Sequence, residues 1–227
     1  MKSLAIIFCG VSLVASSASA ELNSADTKRL SESAAVVGEL RDADNGIPEA
    51  LWNKAECVVV IPSMKKAAFI VGGEAGSGVM SCRRRNGWSA PVFMHLAKGS
   101  FGLQIGAESV DLVLLVMNQR GADKMLQDKV SLGADATITA GPVGRSANAA
   151  TDAQLQAEVL SYSRSQGLFA GIDLSGGVLA PDTKSNTRAY GSRVSPRDIV
   201  AGSPHVSTPA AARPFISSLG RDTRAAR

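Results

Sequence analysis

Two short runs of basic residues contain the side chains in this sequence that are best suited to bind a ligand. Each run lies in or beside a predicted turn of the chain. Lysine and arginine attract phosphate groups, and arginine can bind one phosphate through two hydrogen bonds. We therefore predict that these cations bind anionic lipid head groups. The alternative is that they are solvated charges that keep the protein soluble and prevent pairing of strand edges. The cations are Lys65, Lys66, Arg83, Arg84 and Arg85.

Catalytic and metal-binding motifs are missing from the sequence. It has no Gly-x-Ser-x-Gly and no His-Glu-x-x-His, and the glycine-rich segment 72–78 lacks the Gly-Lys-Ser/Thr ending of a phosphate-binding loop. The two histidines, His95 and His205, are far apart and make no zinc-binding spacing with the cysteines. We therefore predict no enzymatic activity, no metal and no cofactor. The competing interpretation is a hydrolase that uses His95 with a nearby carboxylate.

The N-terminal segment has the pattern of a secretory signal peptide. Lys2 supplies the positive charge, residues 4–15 form a short apolar run, and small residues end the segment at Ala20. We predict that residues 1–20 are removed, that the mature protein begins at Glu21, and that it is periplasmic or secreted. An uncleaved anchor and a lipid-modified Cys9 are the alternatives.

Two cysteines follow the predicted signal peptide, Cys57 and Cys82. In an exported protein, a small and even number of cysteines is most simply explained by a disulfide bond. We predict that these two residues are joined. The alternative is that they are buried free thiols in separate strands.

The first part of the predicted mature chain has helical periodicity. Residues 23–43 are predicted to form a helix that Ser24 caps, with Leu30, Val37 and Leu40 on its apolar face. A second, short helix is expected over Pro48–Lys54. The apolar face of the first helix either packs on a sheet or, at a membrane, contributes to lipid binding.

After residue 56 the periodicity becomes that of β-strands. At least six short apolar runs alternate with turns, and a short helix is expected over Gly121–Leu132. Repeated glycines favour sharp bends within the strands. We predict an α+β fold: a strongly bent, antiparallel, glycine-rich and barrel-like sheet, with N-terminal helices and one short inserted helix.

The C-terminal segment differs in composition from the rest of the chain. Residues 195–227 contain four prolines and five arginines but few apolar residues, and we predict a disordered tail. One domain is therefore expected over residues 21–194. The formal net charge of +4 is mild and does not favour nucleic-acid binding. A structural envelope protein whose basic tail contacts the cell wall is a further alternative.

Five segments, in this order and at this spacing, resemble the SYLF domain, a family of lipid-binding modules. The similarity extends over about residues 35–191. The segments are Trp88-Ser-Ala-Pro91, Gly102-Leu-Gln-Ile-Gly106, Gly141-Pro-Val-Gly-Arg145, Tyr162-Ser-Arg-Ser-Gln-Gly-Leu-Phe-Ala-Gly171 and Tyr190-Gly191.

This resemblance implies binding to lipid. Eukaryotic members are implicated in phosphoinositide binding with the help of an N-terminal amphipathic helix, and some fungal members bind actin. Here the polar face of that helix is mixed in charge, so we expect a general affinity for anionic phospholipid or glycolipid. Because an exported protein does not meet actin, we expect no actin partner. The oligomeric state is left open.

Overall fold

The computed structural model describes residues 22–43, 46–68, 71–101, 106–143, 156–165 and 168–220. The predicted signal peptide and Glu21 lie outside these ranges. The helices are α1 (Ser24–Asp42), α2 (Glu49–Lys54), α3 (Gln119–Met125), α4 (Thr183–Tyr190), α5 (Pro196–Ala201) and α6 (Arg213–Ser218), with a 3-10 turn at Ala210–Ala212. The strands are β1 (Cys57–Ala68), β2 (Val71–Arg84), β3 (Gly87–Trp88), β4 (Val92–Phe101), β5 (Gly106–Val116), β6 (Val130–Ser131), β7 (Ile138–Ala140), β8 (Val159–Ser165), β9 (Leu168–Gly171) and β10 (Val178–Pro181).

The strands form one strongly curled sheet that resembles half of a barrel. Its order is β6-β10-β4-β2-β1-β5-β8-β7, with β3 paired to the end of β2 and β9 paired to the end of β8. All described neighbours are antiparallel except β7 and β8, which are parallel. The α+β class and the bent sheet are therefore confirmed, as are the N-terminal helices and the inserted helix α3.

A bulge in β1 contributes to the bend of the sheet. The register between β1 and β5 shifts between Ile61 and Met64, where Pro62 interrupts the strand. Ser63 has a positive φ of 49°. Its backbone N–H donates a hydrogen bond of 2.8 Å to the Asp111 carboxylate on β5. Proline has no N–H to donate to a neighbouring strand, so a bulge is a suitable place for it.

Helix α1 packs its apolar face into the hydrophobic core. Leu30 and Val37 are fully buried, and Leu40 is almost fully buried. The helix is capped by Asn23, whose side chain accepts a hydrogen bond from the backbone N–H of Asp26, and not by Ser24 as predicted. The apolar face of α1 therefore packs on the rest of the domain in this structure and is not exposed for contact with lipid.

Several predicted element boundaries are wrong. The inserted helix begins at Gln119, because Asn118 caps its first turn, and it ends at Met125, before the short strand β6. Strands β1 and β2, over Cys57–Ala68 and Val71–Arg84, are longer than the short apolar runs that were expected after residue 56. Helix α4 was not predicted, because its small polar residues give a weak helical pattern.

The prediction of a disordered tail from Ser195 is wrong for residues 195–220. This segment forms α5, the 3-10 turn and α6. Although apolar residues are few, Ile199, Ala212, Phe215 and Leu219 are almost completely buried in the common core. Ser195 and Asp198 form a capping box at the start of α5, with Pro196 in its first turn. Proline there begins a helix and is not evidence of disorder.

Candidate anion-binding cleft

A cleft of about 760 Å³ opens between the β2–β3 turn, helix α3 and helix α5. We call it the basic cleft, because four of its lining residues are arginines and one is a carboxylate. Its lining residues are Arg83, Arg84, Arg85, Asn86, Trp88, Gln119, Asp123, Leu126, Arg197, Val200 and Ala201.

Arg84 and Arg85 supply the free positive charge of the basic cleft. Both are exposed, and neither forms an ion pair with a carboxylate in the described part of the chain. The guanidinium of Arg84 lies against Gly202, where a Cβ atom would overlap it. Gly202 ends α5 in the left-handed conformation. The β2–β3 turn and the end of α5 are therefore in direct contact.

Arg83 has a structural role. Its guanidinium donates hydrogen bonds of 2.9 Å to the backbone carbonyls of Ala55 and Trp52, at the end of α2. The same group lies 4.4 Å from the centroid of the Trp88 ring, within range of a cation–π interaction. These hydrogen bonds occupy donors of the Arg83 guanidinium. Arg83 therefore contributes mainly to the shape of one wall of the cleft and less to the binding of a ligand.

Arg197 and Asp123 form an ion pair across the basic cleft. Arg197 Nη1 on α5 lies 3.7 Å from Asp123 Oδ1 on α3, and both side chains are at least half exposed. Arg197 also donates to the backbone carbonyl of Asp123 at 3.4 Å. The Gln119 amide donates to the same carboxylate oxygen at 3.1 Å. Gln119, which is on the same helix as Asp123, thus orients the Asp123 carboxylate towards Arg197.

Apolar side chains complete the cleft. Trp88, Leu126 and Val200 line it together with Ala201. The ring of Trp88 is largely buried, and its indole Nε1 finds no hydrogen-bond partner among the described residues. The cleft therefore combines cations with apolar surface, which suits an anionic group attached to an apolar body.

The two predicted groups of cations lie at opposite ends of the sheet. In the register of β1 and β2, Cys57 is opposite Cys82 and Lys65 is opposite Ala75. Eight residues of strand separate Cys57 from Lys65, which corresponds to about 25 Å. Lys65 is exposed, and the side chain of Lys66 lies outside the described part of the structure. The five cations therefore do not form one surface.

The predicted disulfide bond is confirmed. Cys57 and Cys82 are direct register partners in β1 and β2, and their sulfur atoms are 2.05 Å apart. Both residues are buried. The bond lies immediately before Arg83, so it fixes the end of β2 from which the cleft arginines extend.

Several of the described motif residues that carry the family resemblance make structural contacts, whereas motif residues 102–105, 144–145 and 166–167 lie outside the described ranges. The buried Tyr190 hydroxyl donates a hydrogen bond of 2.6 Å to the Pro91 carbonyl. The ring of Tyr162 lies on Gly141, where a Cβ atom would overlap it. Burial raises the pKa of both tyrosines. These contacts join sequence motifs that are distant along the chain.

A buried polar cluster attaches α1 to α4, and the sequence analysis did not identify it. The Asp26 carboxylate is fully buried and accepts hydrogen bonds from Ser185 and Arg188. Arg29 donates to Asp182 at 3.1 Å. Desolvation raises the pKa of Asp182, but hydrogen bonds from Ser185 and Arg29 bring it below its ordinary value of 3.8. The residues of this cluster are far apart in the sequence and come together only in the folded protein.

A second charged cluster holds the C-terminal half of α1. Arg164 on β8 forms ion pairs with Glu39 on α1 and with Asp111 on β5. Its Nε atom donates to the Asp111 carboxylate at 2.9 Å. Helix α1 is therefore attached to α4 near its N-terminal end and to the sheet near its C-terminal end.

His95 occupies an exposed position on β4. Its register partners on β2 and β10 are Ser77 and Ala180, and neither is a carboxylate. Within the described ranges, no three His, Cys, Asp or Glu side chains are grouped so that they could hold a metal ion. None of the described helices has the length and apolar character needed to cross a membrane.

Comparison with known proteins identifies related chains. A family model described as "Ysc84: Las17-binding protein actin regulator" matches residues 97–221. Protein YSC84 of Saccharomyces cerevisiae is 33% identical over 181 residues, which is 78% of this chain and 38% of that protein. LAS seventeen-binding protein 3 of the same yeast is 34% identical over 182 residues, covering 78% of this chain and 39% of that protein.

A mammalian relative extends the similarity. SH3 domain-containing YSC84-like protein 1 of Mus musculus is 33% identical over 182 residues, which is 79% of this chain and 53% of that protein. The chain thus spans about 38% to 53% of the length of these three relatives. Their names describe binding proteins and SH3-containing proteins, and do not describe enzymes. The family model extends through α5 and α6, which the sequence analysis had assigned to a tail. The extent of these matches shows that the chain belongs to the Ysc84 family, whose common domain is the SYLF domain.

Proposed function

We propose that this domain binds anionic lipid head groups at a membrane surface through the basic cleft. The observation that carries the proposal is the convergence of exposed arginines from two separate elements on one cleft. Arg84 ends β2, Arg85 follows it in the β2–β3 turn, and Arg197 comes from α5. Only one carboxylate, that of Asp123, is among the lining residues.

The physical basis of binding is attraction between these cations and phosphate. Near an anionic membrane, each exposed cation contributes about 1 kcal/mol to binding. Arginine suits this role because its planar group can donate two hydrogen bonds to one phosphate. The apolar surface beside the cations, formed by Trp88, Leu126 and Val200, would meet the less polar part of the lipid.

The proposal places the lipid contact at the cleft and not at the apolar face of α1. Leu30, Val37 and Leu40 could reach a membrane only if α1 left the domain. Their burial and the two charged clusters described above oppose that release. Lys65 and Lys66 are left as a separate candidate contact at the other end of the sheet.

We propose that the protein acts as a peripheral membrane protein after export to the periplasm or the cell exterior. This part of the proposal rests on the signal-peptide pattern of residues 1–20. The mass of the mature protein tests it, because cleavage after Ala20 leaves Glu21 as the first residue. A mature protein that retains residues 1–20 would contradict export by this route.

Vesicle co-sedimentation tests the binding site. The test compares wild type with an Arg84→Gln/Arg85→Gln variant, on phosphatidylcholine vesicles containing increasing fractions of phosphatidylglycerol. Loss of two cations at about 1 kcal/mol each predicts roughly a tenfold or greater loss of affinity at low salt. Binding of the wild type should also weaken as salt rises, because the Debye length falls from about 10 Å at 0.1 M to about 3 Å at 1 M.

Two further variants define the outcome. Lys129→Gln/Lys184→Gln removes the same charge at exposed positions outside the cleft lining, and should bind nearly as wild type does. Lys65→Gln/Lys66→Gln measures the separate candidate contact. An equal loss of affinity in all three variants would indicate net charge alone and would contradict the cleft. No binding of wild type to any anionic vesicle would overturn the proposed function.

A second candidate function is binding to a protein partner. The description of the matching family model, "Las17-binding protein actin regulator", favours it. Co-sedimentation with actin filaments, with vesicles absent, tests the actin-related form of this function. Because an exported protein does not meet actin, the proposed export argues against this form of the function. Filament binding together with no vesicle binding would make this candidate the better one.

A further inference from the structure

We propose that the Asp123 carboxylate competes with a bound anion for Arg197 in the basic cleft. It thereby sets the density of negative charge that a membrane surface needs in order to bind this protein. This inference rests on the proposed function. It assigns to one acidic residue, in a cleft whose other charged lining residues are arginines, a role in selecting the ligand by its charge.

The geometry places Asp123 where an anion would compete with it. Its carboxylate lies 3.7 Å from Arg197 Nη1, on the opposite wall of the cleft. The Gln119 amide donates to the same oxygen at 3.1 Å and holds it in that position. The positive charge of Arg197 is therefore partly neutralised from within the protein. A phosphate that enters the cleft must share or replace this partner.

The exposure of the pair makes such replacement feasible. The Arg197 side chain is 58% exposed and that of Asp123 is 50% exposed. Exposed ion pairs contribute little to the stability of the fold. The interaction free energy of such a pair corresponds to about a two- to fivefold change in an equilibrium constant. A single weakly charged lipid gains little by displacing Asp123. A surface with many negative charges displaces it readily, because several attractions act at once.

The other charged groups of the cleft do not share this arrangement. Arg83 is bound to backbone carbonyls, and Arg84 lies against Gly202. Neither Arg84 nor Arg85 has a carboxylate partner within the described ranges. Asp123 thus reduces the attraction of Arg197 for an anion, while Arg84 and Arg85 on the opposite wall still attract it.

The test is an Asp123→Asn variant of the mature chain. Asparagine keeps the side-chain oxygen that accepts from Gln119, and the backbone carbonyl that accepts from Arg197 is unchanged. We expect affinity for phosphatidylcholine–phosphatidylglycerol vesicles to rise about two- to fivefold at low salt. Binding should also begin at a lower fraction of phosphatidylglycerol, and the gain should shrink as salt is added.

Matched variants distinguish competition from a change in net charge. Asp128→Asn makes the same charge change at an exposed position outside the cleft lining. Arg197→Gln removes the group for which the anion and Asp123 compete. If Asp123 acts through Arg197, Asp123→Asn gains less in the Arg197→Gln background than in wild type. Thermal unfolding of each variant confirms that it is folded.

The outcomes separate this inference from the proposed function. A smaller gain in the Arg197→Gln background, with little effect of Asp128→Asn, supports it. Equal gains in both backgrounds, or an equal gain from Asp128→Asn, overturn it. If wild type binds through Arg84 and Arg85 but Asp123→Asn has no effect or weakens binding, the inference fails and the proposed function stands. If wild type binds no anionic vesicle, both are overturned.

Discussion

Individual polar side chains attach α1 to the remainder of the domain. A buried carboxylate is costly unless hydrogen bonds compensate for the lost hydration. Asp26 meets this requirement through Ser185 and Arg188, and Asp182 meets it through Ser185 and Arg29. Asp182 also caps α4, since its side chain accepts from the backbone N–H of Ser185. The hydrogen bonds of these two carboxylates therefore contribute to docking of α1 and to the start of α4.

Acid should weaken the fold through Asp182. Its pKa in the folded protein is below the ordinary value of 3.8, so the folded state favours the ionised form. The stability that this provides is present above pH 4 or so and is lost as pH falls through the folded pKa. Guanidinium unfolding from pH 7 down to pH 3 measures the effect. Asp182→Asn keeps the cap but removes the titration, so its stability should vary less with pH there. An unchanged acid dependence would contradict this.

Among the elements, β1 and β2 pack so closely that β2 requires glycine at defined positions. A Cβ atom on Gly78 would overlap the Val60 carbonyl oxygen and lie 2.8 Å from Ile61 Cα. Both obstacles belong to the backbone of β1, which cannot move as a side chain can. The glycine-rich segment, which was expected to be a bend in a strand and not a phosphate loop, is therefore part of a tightly packed strand pair.

Alanine substitutions at two glycines should separate close packing from strand propensity. Gly78→Ala forces β1 and β2 apart and should lower the free energy of unfolding by about 3 kcal/mol. Gly99→Ala is the matched control on β4, because no atom lies within 4 Å of its Cβ position. It should be neutral or stabilise by up to about 1 kcal/mol. Denaturant unfolding of both variants gives the comparison. Similar effects of the two substitutions would show that packing of β2 on β1 does not constrain Gly78.

In the whole molecule, residues 195–220 are part of both the core and the candidate site. Phe215 is fully buried, and α6 packs beside α1. The side chain of Arg41 on α1 donates to the Leu219 carbonyl at 3.3 Å. Helix α5 supplies one wall of the basic cleft through Arg197, Val200 and Ala201. Removal of this segment would therefore disturb folding and the cleft together.

Truncation of one side chain tests this role of the C-terminal segment. Phe215→Ala should lower the free energy of unfolding by about 3 to 5 kcal/mol, because it leaves a cavity in a packed core. Ser217→Ala, at an exposed position of the same helix, should change it by less than about 0.5 kcal/mol. Thermal and denaturant unfolding provide the measurements. A Phe215→Ala variant as stable as wild type would restore the view of this segment as a dispensable tail.

Features that depend on neighbouring residues could be predicted from the amino-acid sequence. The apolar spacing of Leu30, Val37 and Leu40 defined the buried face of α1, because a helix returns to the same face every three or four residues. Runs of alternating apolar and β-branched residues, with glycines between them, predicted a strongly bent sheet. The pairing of Cys57 with Cys82 followed from there being two cysteines after the predicted signal peptide of this chain.

Contacts between residues distant in sequence became known only from the three-dimensional fold. The register of β1 and β2 separated Lys65 from Arg84, although the sequence allowed both to lie on one surface. Docking of α5 brought Arg197 to the cleft, although its segment has a composition typical of a tail. Local periodicity reports only which face of an element is apolar. The position of each element in the sheet, and so the convergence of charges, depends on long-range packing that adjacent residues do not encode.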